Sequence, residues 1–330
     1  MKTLYVVNSF KNNLGDFLIY DGFKNMITVL NKDIQINEID IKDLNTFNFE
    51  KKSKVVIPGG PLISNSLKNA NLDYESFFRK TLDHNIDLIL FGVGLGVDFN
   101  YSVGLSEKNK QTLYKVSKKY PILCRDELTM EFLKKNNINS DLSGCPVINY
   151  EILDNPRIES TKILISDPGF RNINKLIYYL ILCLKTVRYL SKNHEVEFLF
   201  NAGYLNKKNV SRKRYYCQII LRQYLKFKKI KILQSKDVIE KNVINQFNEH
   251  IGFRVHTHLL FTANNLNSTL IAEDLRGLGQ IHLLNSYLQE LPSSLSSVSK
   301  FIKKEKILQS SKNVFSIKEK SFKALNEIIN

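Results

Sequence analysis

The sequence predicts an α/β protein made of two doubly wound, Rossmann-like domains with a cleft between them. Three observations carry this. Short apolar runs such as Val55-Val56-Ile57 and Leu88-Ile89-Leu90-Phe91 read as strands buried on both faces. Stretches with helical spacing separate them, as in a parallel βαβ sheet. The pattern stops at a polar seam, Asn149 to Thr161, and then restarts. A chain of 330 residues has room for about two domains. We place them at residues 1–155 and 156–330, the second including a basic C-terminal helix.

The elements follow in order. Leu4 to Asn8 is an apolar strand and Phe17 to Leu30 has helical spacing. Ile34 to Ile39 alternates like a half-exposed strand. Val55 to Ile57 ends at Pro58-Gly59-Gly60-Pro61, and Tyr74 to Leu82 is helical. Leu88 to Phe91 closes at Gly92-Val93-Gly94-Leu95-Gly96. Gln111 to Lys119 is a helix, Ile122 to Cys124 a strand, and Asp126 to Lys135 a helix. After the seam, Lys162 to Ser166, Val196 to Phe200, Ile230 to Leu233, Ile251 to Val255 and Thr269 to Ala272 read as strands. A long helix from about Asn174 to Leu190 follows the first of these. Val238, Ile239, Val243, Ile244 and Phe247 trace one helical face, and Leu259 to Ala263 is helical.

Composition narrows the function. Hydrophobic residues make up 43%, enough for real cores. No tract reaches the ~18 apolar residues of a membrane span, and the N-terminal apolar stretch is too short for a secretory signal. Cys124, Cys145, Cys183 and Cys217 are scattered, without a C-x-x-C pair. That argues against structural zinc and a disulfide framework, and for the reduced thiols of a cytoplasm. The formal net charge is +16. From Lys207 to Lys231 there are ten Lys or Arg and no acid, with Tyr215, Tyr216, Tyr224 and Phe227 interleaved. A solvated face and attraction to an anionic membrane surface fit this stretch equally well; nucleic acid fits it less.

Two motifs almost 240 residues apart read as one site. Asn13-Leu14-Gly15-Asp16 follows the first strand. Gly15 would permit a tight turn, and Asp16 either caps the helix or serves as a catalytic carboxylate. In Phe253-Arg254-Val255-His256, an extended segment would put Arg254 and His256 on one face. Arginine suits a carboxylate or phosphate, and histidine carries a proton near neutral pH. The pairing suggests an anionic donor and a hydroxyl acceptor. His256 and His258 lack a third partner for a metal. The glycines at Gly59, Gly60 and Gly94 would let a ligand approach the backbone, but the spacing is not that of a dinucleotide fingerprint and no P-loop exists. Arg125-Asp126 reads as an ion pair with a helix cap, and Cys145 has no activating base nearby.

Taken in order, these segments resemble the polysaccharide pyruvyl transferase family. The matching run is N-x-G-D at Asn13 to Asp16, the double glycine at Gly59-Gly60, and Gly92 to Gly96. Arg125-Asp126-Glu127-Leu128-Thr129, Asp141 with Gly144-Cys145-Pro146, and Arg254-Val255-His256 complete it. The resemblance implies a GT-B-like fold with the acceptor on the N-terminal domain and the donor on the C-terminal one. It implies transfer of the enolpyruvyl carbons of phosphoenolpyruvate to the hydroxyls of a cell-surface polysaccharide precursor. Phosphate is released and a pyruvate ketal forms. Phosphoenolpyruvate is then a substrate, and neither a cofactor nor a metal is expected.

The resemblance places the donor-binding Arg on Arg254, the acid on His256 and the carboxylate on Asp16. Arg276 and Arg171 would add cations, and Asn13, Gly15, Gly59, Gly60 and Gly94 would line the cleft. The family's Ser before R-x-H is Gly252 here, and the Lys after the later strand is replaced by Arg276. The expected partner is a glycan or lipid-linked saccharide. The expected place is the cytoplasm, with basic stretches on the inner membrane face. The same fold in a glycosyltransferase using a nucleotide sugar is the alternative.

Overall fold

The structure, a computed structural model, describes residues 2–8, 13–30, 33–50, 53–64, 67–69, 72–96, 104–150, 161–170, 173–202, 210–241, 243–284 and 311–329. The chain forms two compact units. One comprises Met1–Lys11, Asp16–Tyr150 and Ser311–Asn330; the other comprises Asn12–Gly15 and Glu151–Ser310.

In the first unit, β1 (Lys2–Asn8), β2 (Ile34–Asp40), β3 (Lys54–Pro58) and β6 (Asp87–Phe91) form a parallel sheet in the order β2-β1-β3-β6. Tyr5 pairs with both Asn37 and Val55, and Val55 pairs with Leu88. The parallel pair β7 (Ile122–Cys124) and β8 (Ser140–Leu142) continues it through a bridge from Val93 to Cys124. A two-strand hairpin, β4 (Lys68–Asn69) and β5 (Leu72–Asp73), precedes α2 (Tyr74–Asp83). The remaining helices before Tyr150 are α1 (Leu14–Leu30), α3 (Glu107–Val116) and α4 (Glu127–Lys135). The β-branched and aliphatic runs become strands because a parallel sheet covered on both faces has no polar side to offer.

The last helix, α10 (Ser311–Ile329), belongs to this first unit, not to the C-terminal domain expected from its place in the sequence. Its buried residues Val314, Ile317, Ser321, Leu325 and Ile328 repeat every three or four positions. Leu325, Ile328 and Ile329 complete a core built from Leu4, Val6, Phe23, Met26, Val56, Ile89 and Phe91. Lys54 Nζ donates to the carbonyls of Ile328 (2.8 Å) and Ile329 (3.3 Å), a cation where the helix C-terminus is negative. Ser321 Oγ donates to the Ser143 carbonyl. Apolar burial against this core decides the docking, and chain order does not.

In the second unit five parallel strands run in the order β11-β10-β9-β12-β13. They are β9 (Ile163–Ser166), β10 (Val196–Phe200), β11 (Lys231–Gln234), β12 (Glu249–Gly252) and β13 (Asn267–Leu270). The helices are α5 (Leu176–Leu190), α6 (Arg212–Phe227), α7 (Ser235–Lys241), α8 (Val255–Ala263) and α9 (Leu275–Leu284). The strand order reverses between β9 and β12, which puts a topological switch point at their C-terminal ends.

Among the described residues, no helix is long and apolar enough to cross a membrane.

Candidate functional site

The second unit gathers charge at the C-terminal ends of β9, β12 and β13. Asp167 follows β9, Arg254 follows β12, and Glu273-Asp274 follow β13. Arg254 grips Asp167 side-on: Nε donates to Oδ1 at 2.8 Å and Nη2 to Oδ2. Asp167 Oδ1 also accepts the Asn201 backbone N–H at 3.1 Å. Burial works against the Arg254 charge, but Asp167, Glu273 and Asp274 more than offset it and raise its pKa. A bidentate, partly buried pair of this kind fixes the guanidinium plane.

Two residues that the sequence reading passed over join this cluster. Arg214, in the first turn of α6, interacts electrostatically with Arg254, Asp167 and Glu273. Burial lowers its pKa, and the neighbouring Arg254 lowers it further. Glu273 Oε2 accepts the Gly169 N–H at 2.5 Å. Burial pushes the Glu273 carboxyl up to about 7 against the pull of Arg254. Among the described residues, Arg214 Nε and Glu273 Oε1 are buried without a hydrogen-bond partner. An unmet donor and an unmet acceptor in one charged cluster suit a ligand better than a finished core. Asp167 and Glu273 lie in strand-end runs whose arginines drew attention first. Their carboxylates were the available signal.

Arg276 stands differently. Its Nε donates to Asp274 Oδ1 and Oδ2, both at 3.0 Å, while Asp274 Oδ1 accepts the Arg276 N–H at the start of α9. Arg276 thus serves first in a helix-cap pair. Arg171 lies outside the described residues.

The expected extended segment Arg254–His256 is instead a strand end followed at once by a helix. β12 stops at Gly252, Arg254 sits at the N-cap of α8 (φ −97°, ψ 111°), and His256 lies in the first helical turn. The same-face argument from strand alternation therefore fails. The imidazole is carried by a helix N-terminus, which itself favours anions. Behind it runs a buried polar chain. Ser166 Oγ accepts the Arg254 N–H (3.2 Å) and bonds His250 Nε2 (2.8 Å). Ser268 Oγ bonds His250 Nδ1 (2.7 Å) and His258 Nδ1 (2.9 Å). Burial holds His250 well below the imidazole range, helped by His258, and takes His258 down to about 4. Both rings are neutral at pH 7 and serve as struts. A Cβ on Gly252 would collide with Ser166 Oγ and the Ser166 backbone. The hydroxyl that the resemblance puts at position 252 is supplied from β9.

Asn13 and Gly15 also cluster with the second unit. Gly15 is not a turn residue as expected but part of the first turn of α1, and a Cβ there would strike the His256 ring. Asn13 Oδ1 accepts the Gly15 N–H at 3.1 Å, so Asn13 rather than Asp16 caps α1. Asp16 occupies the same first turn.

In the first unit Gly59 (φ +74°) and Gly60 (φ +94°) need the freedom glycine gives. Gly94 donates to the Gly60 carbonyl at 3.0 Å. Gly94 makes room for Arg125 rather than for a ligand: a Cβ there would meet the guanidinium. Gly59 likewise faces Ile19, and a Cβ on Gly60 would meet the Leu62 side chain at ordinary contact distance. Arg125, 2% exposed, pairs with Asp126 (3.1 Å) and donates to the Leu95 carbonyl (3.1 Å). Asp126 caps α4 through the Thr129 N–H at 2.8 Å, so the expected ion pair with a helix cap is present. Cys145 is buried, and burial pushes its thiol up to about 11, which removes it as a nucleophile.

A sequence model of the family described as polysaccharide pyruvyl transferase matches residues 13–274. The chain belongs to this family. The family makes it a transferase, and the matched span contains Asn13, Asp16, Arg214, Arg254, His256 and Glu273. No curated protein matches. Among solved structures the chain is similar to MnaA from S. aureus in complex with UDP, with TM-score 0.61 and 11% identity over 100% of this chain and 95% of that one. It is also similar to UDP-GlcNAc 2-epimerase from Neisseria meningitidis bound to UDP-GlcNAc (TM-score 0.59, 11% identity, 100% of both chains). The corresponding enzyme from Methanocaldococcus jannaschii gives TM-score 0.57 and 11% identity over 100% of this chain and 99% of that one. These likenesses establish the GT-B fold of this pyruvyl transferase family member.

Proposed function

We propose that the chain transfers the enolpyruvyl carbons of phosphoenolpyruvate to hydroxyls of a saccharide, free or lipid-linked, in making a cell-envelope polysaccharide. The observation that carries this is the strand-end cluster of the second unit, where Arg254 and Arg214 share a neighbourhood with Glu273. Phosphoenolpyruvate brings a carboxylate and a phosphate close together and calls for at least two cations. Arg214 is the better second cation, because its buried Nε has no hydrogen-bond partner among the described residues, whereas Arg276 closes a helix-cap pair with Asp274.

The reaction this reading requires is a proton transfer followed by an addition. His256 delivers a proton to the methylene carbon, leaving positive character at C2. A saccharide hydroxyl adds at C2 and gives up its proton, and the C2–O bond to phosphate breaks. A second hydroxyl adds at the C2 cation left by phosphate and gives up its proton to the departing phosphate, which closes the ketal. Asp16, next to Gly15 in α1, is the carboxylate this reading gives to the acceptor hydroxyl. Glu273, able to hold a proton near pH 7, relieves the repulsion an anionic donor would otherwise meet.

The test begins with a thermal-shift panel of phosphoenolpyruvate, UDP, GDP and CMP. A ligand at 100 times its dissociation constant stabilises by ~2.7 kcal/mol. A shift with phosphoenolpyruvate alone, then phosphate release with an oligosaccharide acceptor that gains a ketal mass, is the expected result. His256→Ala should abolish that turnover while the phosphoenolpyruvate shift remains; near-normal turnover would remove His256 as the acid.

A second reading rests on the fold neighbours, two of which were solved with UDP or UDP-GlcNAc. A shift with one nucleotide and none with phosphoenolpyruvate would make the chain a nucleotide-sugar enzyme.

A further inference from the structure

Helices α5 and α6 lie side by side and share one core, α5 contributing Leu182, Cys183 and Val187 and α6 contributing Cys217, Leu221 and Leu225. Their outer surface is not the polar face such helices usually show. On α6 the outward line is Lys213, Tyr216, Ile220, Gln223 and Phe227, spaced by three and four residues. Tyr216 is 52% exposed, Ile220 51% and Phe227 80%. Ile177, 69% exposed, adds an aliphatic side chain on α5.

Charge surrounds this line with one sign. Between Asp167 and Asp237 there are sixteen Lys or Arg and only two acids, Glu195 and Glu197, and neither helix carries an acid. Lys162 pairs with Glu195, and Lys231 pairs with the buried Glu197. Lys226, Lys228 and Lys229 are exposed around Phe227, with Lys228 Nζ 5.7 Å from its ring centre.

Cations alone would make a solvated face, and an apolar line alone would be an aggregation hazard. Together they match a surface that is anionic outside and apolar beneath. Ile177 and Ile220 have no flat face for stacking on bases, which disfavours nucleic acid.

We propose that the outer face of α6, led by Tyr216, Ile220 and Phe227, seats on an anionic lipid bilayer. The apolar line enters the acyl boundary while Lys213, Lys226, Lys228 and Lys229 reach the head groups, their stems lying along the apolar surface. This goes beyond the reaction and does not depend on it, since binding is read without donor or acceptor.

The chain contains no tryptophan, so a single introduced one reports cleanly. Phe227→Trp is mixed with vesicles of phosphatidylcholine, with or without phosphatidylglycerol; Phe315→Trp, at an exposed position of α10, is the control. The expected result is a blue shift at position 227 with anionic vesicles only, quenched by brominated acyl chains and weakened by salt, with no shift at 315. Adding Tyr216→Ser and Ile220→Ser should weaken partitioning by about tenfold or more, given the apolar area withdrawn. Four outcomes overturn the proposal. One is no shift with vesicles, and another is a shift indifferent to the serine pair, which is charge alone. A third is a shift that grows with protein concentration without lipid, which is a second copy. The last is a shift with a single-stranded oligonucleotide but not with vesicles.

Discussion

Burial pushes Glu273 up to about 7, so near neutral pH its charge is set by small changes in acidity. As pH rises through about 7 the carboxyl ionises and places a negative charge beside Arg254 and Arg214, so affinity for an anionic donor should fall. The donor's own phosphate ionises in the opposite sense, so the informative quantity is the ratio of wild type to Glu273→Gln. That ratio, measured by calorimetry from pH 6 to 8, should drop by roughly tenfold, one pKa unit of interaction. A constant ratio would remove Glu273 from the donor site. Folding is linked in the same way. The native state holds this proton more tightly than the unfolded chain, whose value is near 4.5. The stabilisation is complete below about 4.5 and is lost as pH rises to about 7. Position 252 gives a second residue-scale prediction. Gly252→Ser should cost about 1–3 kcal/mol through crowding of Ser166. Adding Ser166→Gly should recover only the part of this cost that comes from Oγ, since the Ser166 N and O still crowd a Cβ at 252; full recovery in denaturant melts would show that the backbone contacts cost nothing. At this scale the sequence made Arg254 and His256 visible, because an R-x-H run is conspicuous. It hid Arg214 in a long basic stretch and hid Glu273 beside a showier arginine. Only folding brings their charges together.

Strands β3, β6 and β9 were legible because a strand buried on two faces reads as an uninterrupted aliphatic run. The start of α8 was not. Every residue from Thr257 to Ala263 is buried, and a helix buried all round shows no polar stripe from which to take a period. Val255, His256 and Thr257 then look like more strand. Of the caps the sequence showed Asp126; Asp73, Ser106 and Ser211 likewise accept an N–H in the first turn of their helices. Asp126 does two things at once, capping α4 and pairing with buried Arg125. Asp126→Ala should therefore cost about 3–5 kcal/mol, the range for stranding one partner of a buried ion pair. A loss under 1 kcal/mol in urea melts would show that Arg125 keeps its place without Asp126.

The whole molecule is discontinuous in sequence. The first unit takes its last helix from residues that follow the second unit in the sequence. No local pattern could announce this, since the amphipathic face of α10 says only that it needs cover. A fragment ending at Tyr150 should lack cooperative unfolding and bind an apolar dye, because Leu4, Val6 and Phe23 lose Leu325, Ile328 and Ile329. Fusing residues 311–330 to that fragment should restore a single sharp transition in circular dichroism. A sharp transition in the unfused fragment would make α10 dispensable.

The anchorage of α10 by Lys54 and Ser143 also sets an order of events in the cell. The first unit cannot close its core until residues 311–329, made after the second unit, have left the ribosome. At about 5–20 residues per second the wait through the second unit is on the order of ten seconds or more. During that time the open side of the first sheet is a natural client for a chaperone. A message cut short before codon 311 would yield a chain that quality control can recognise by this one bare surface.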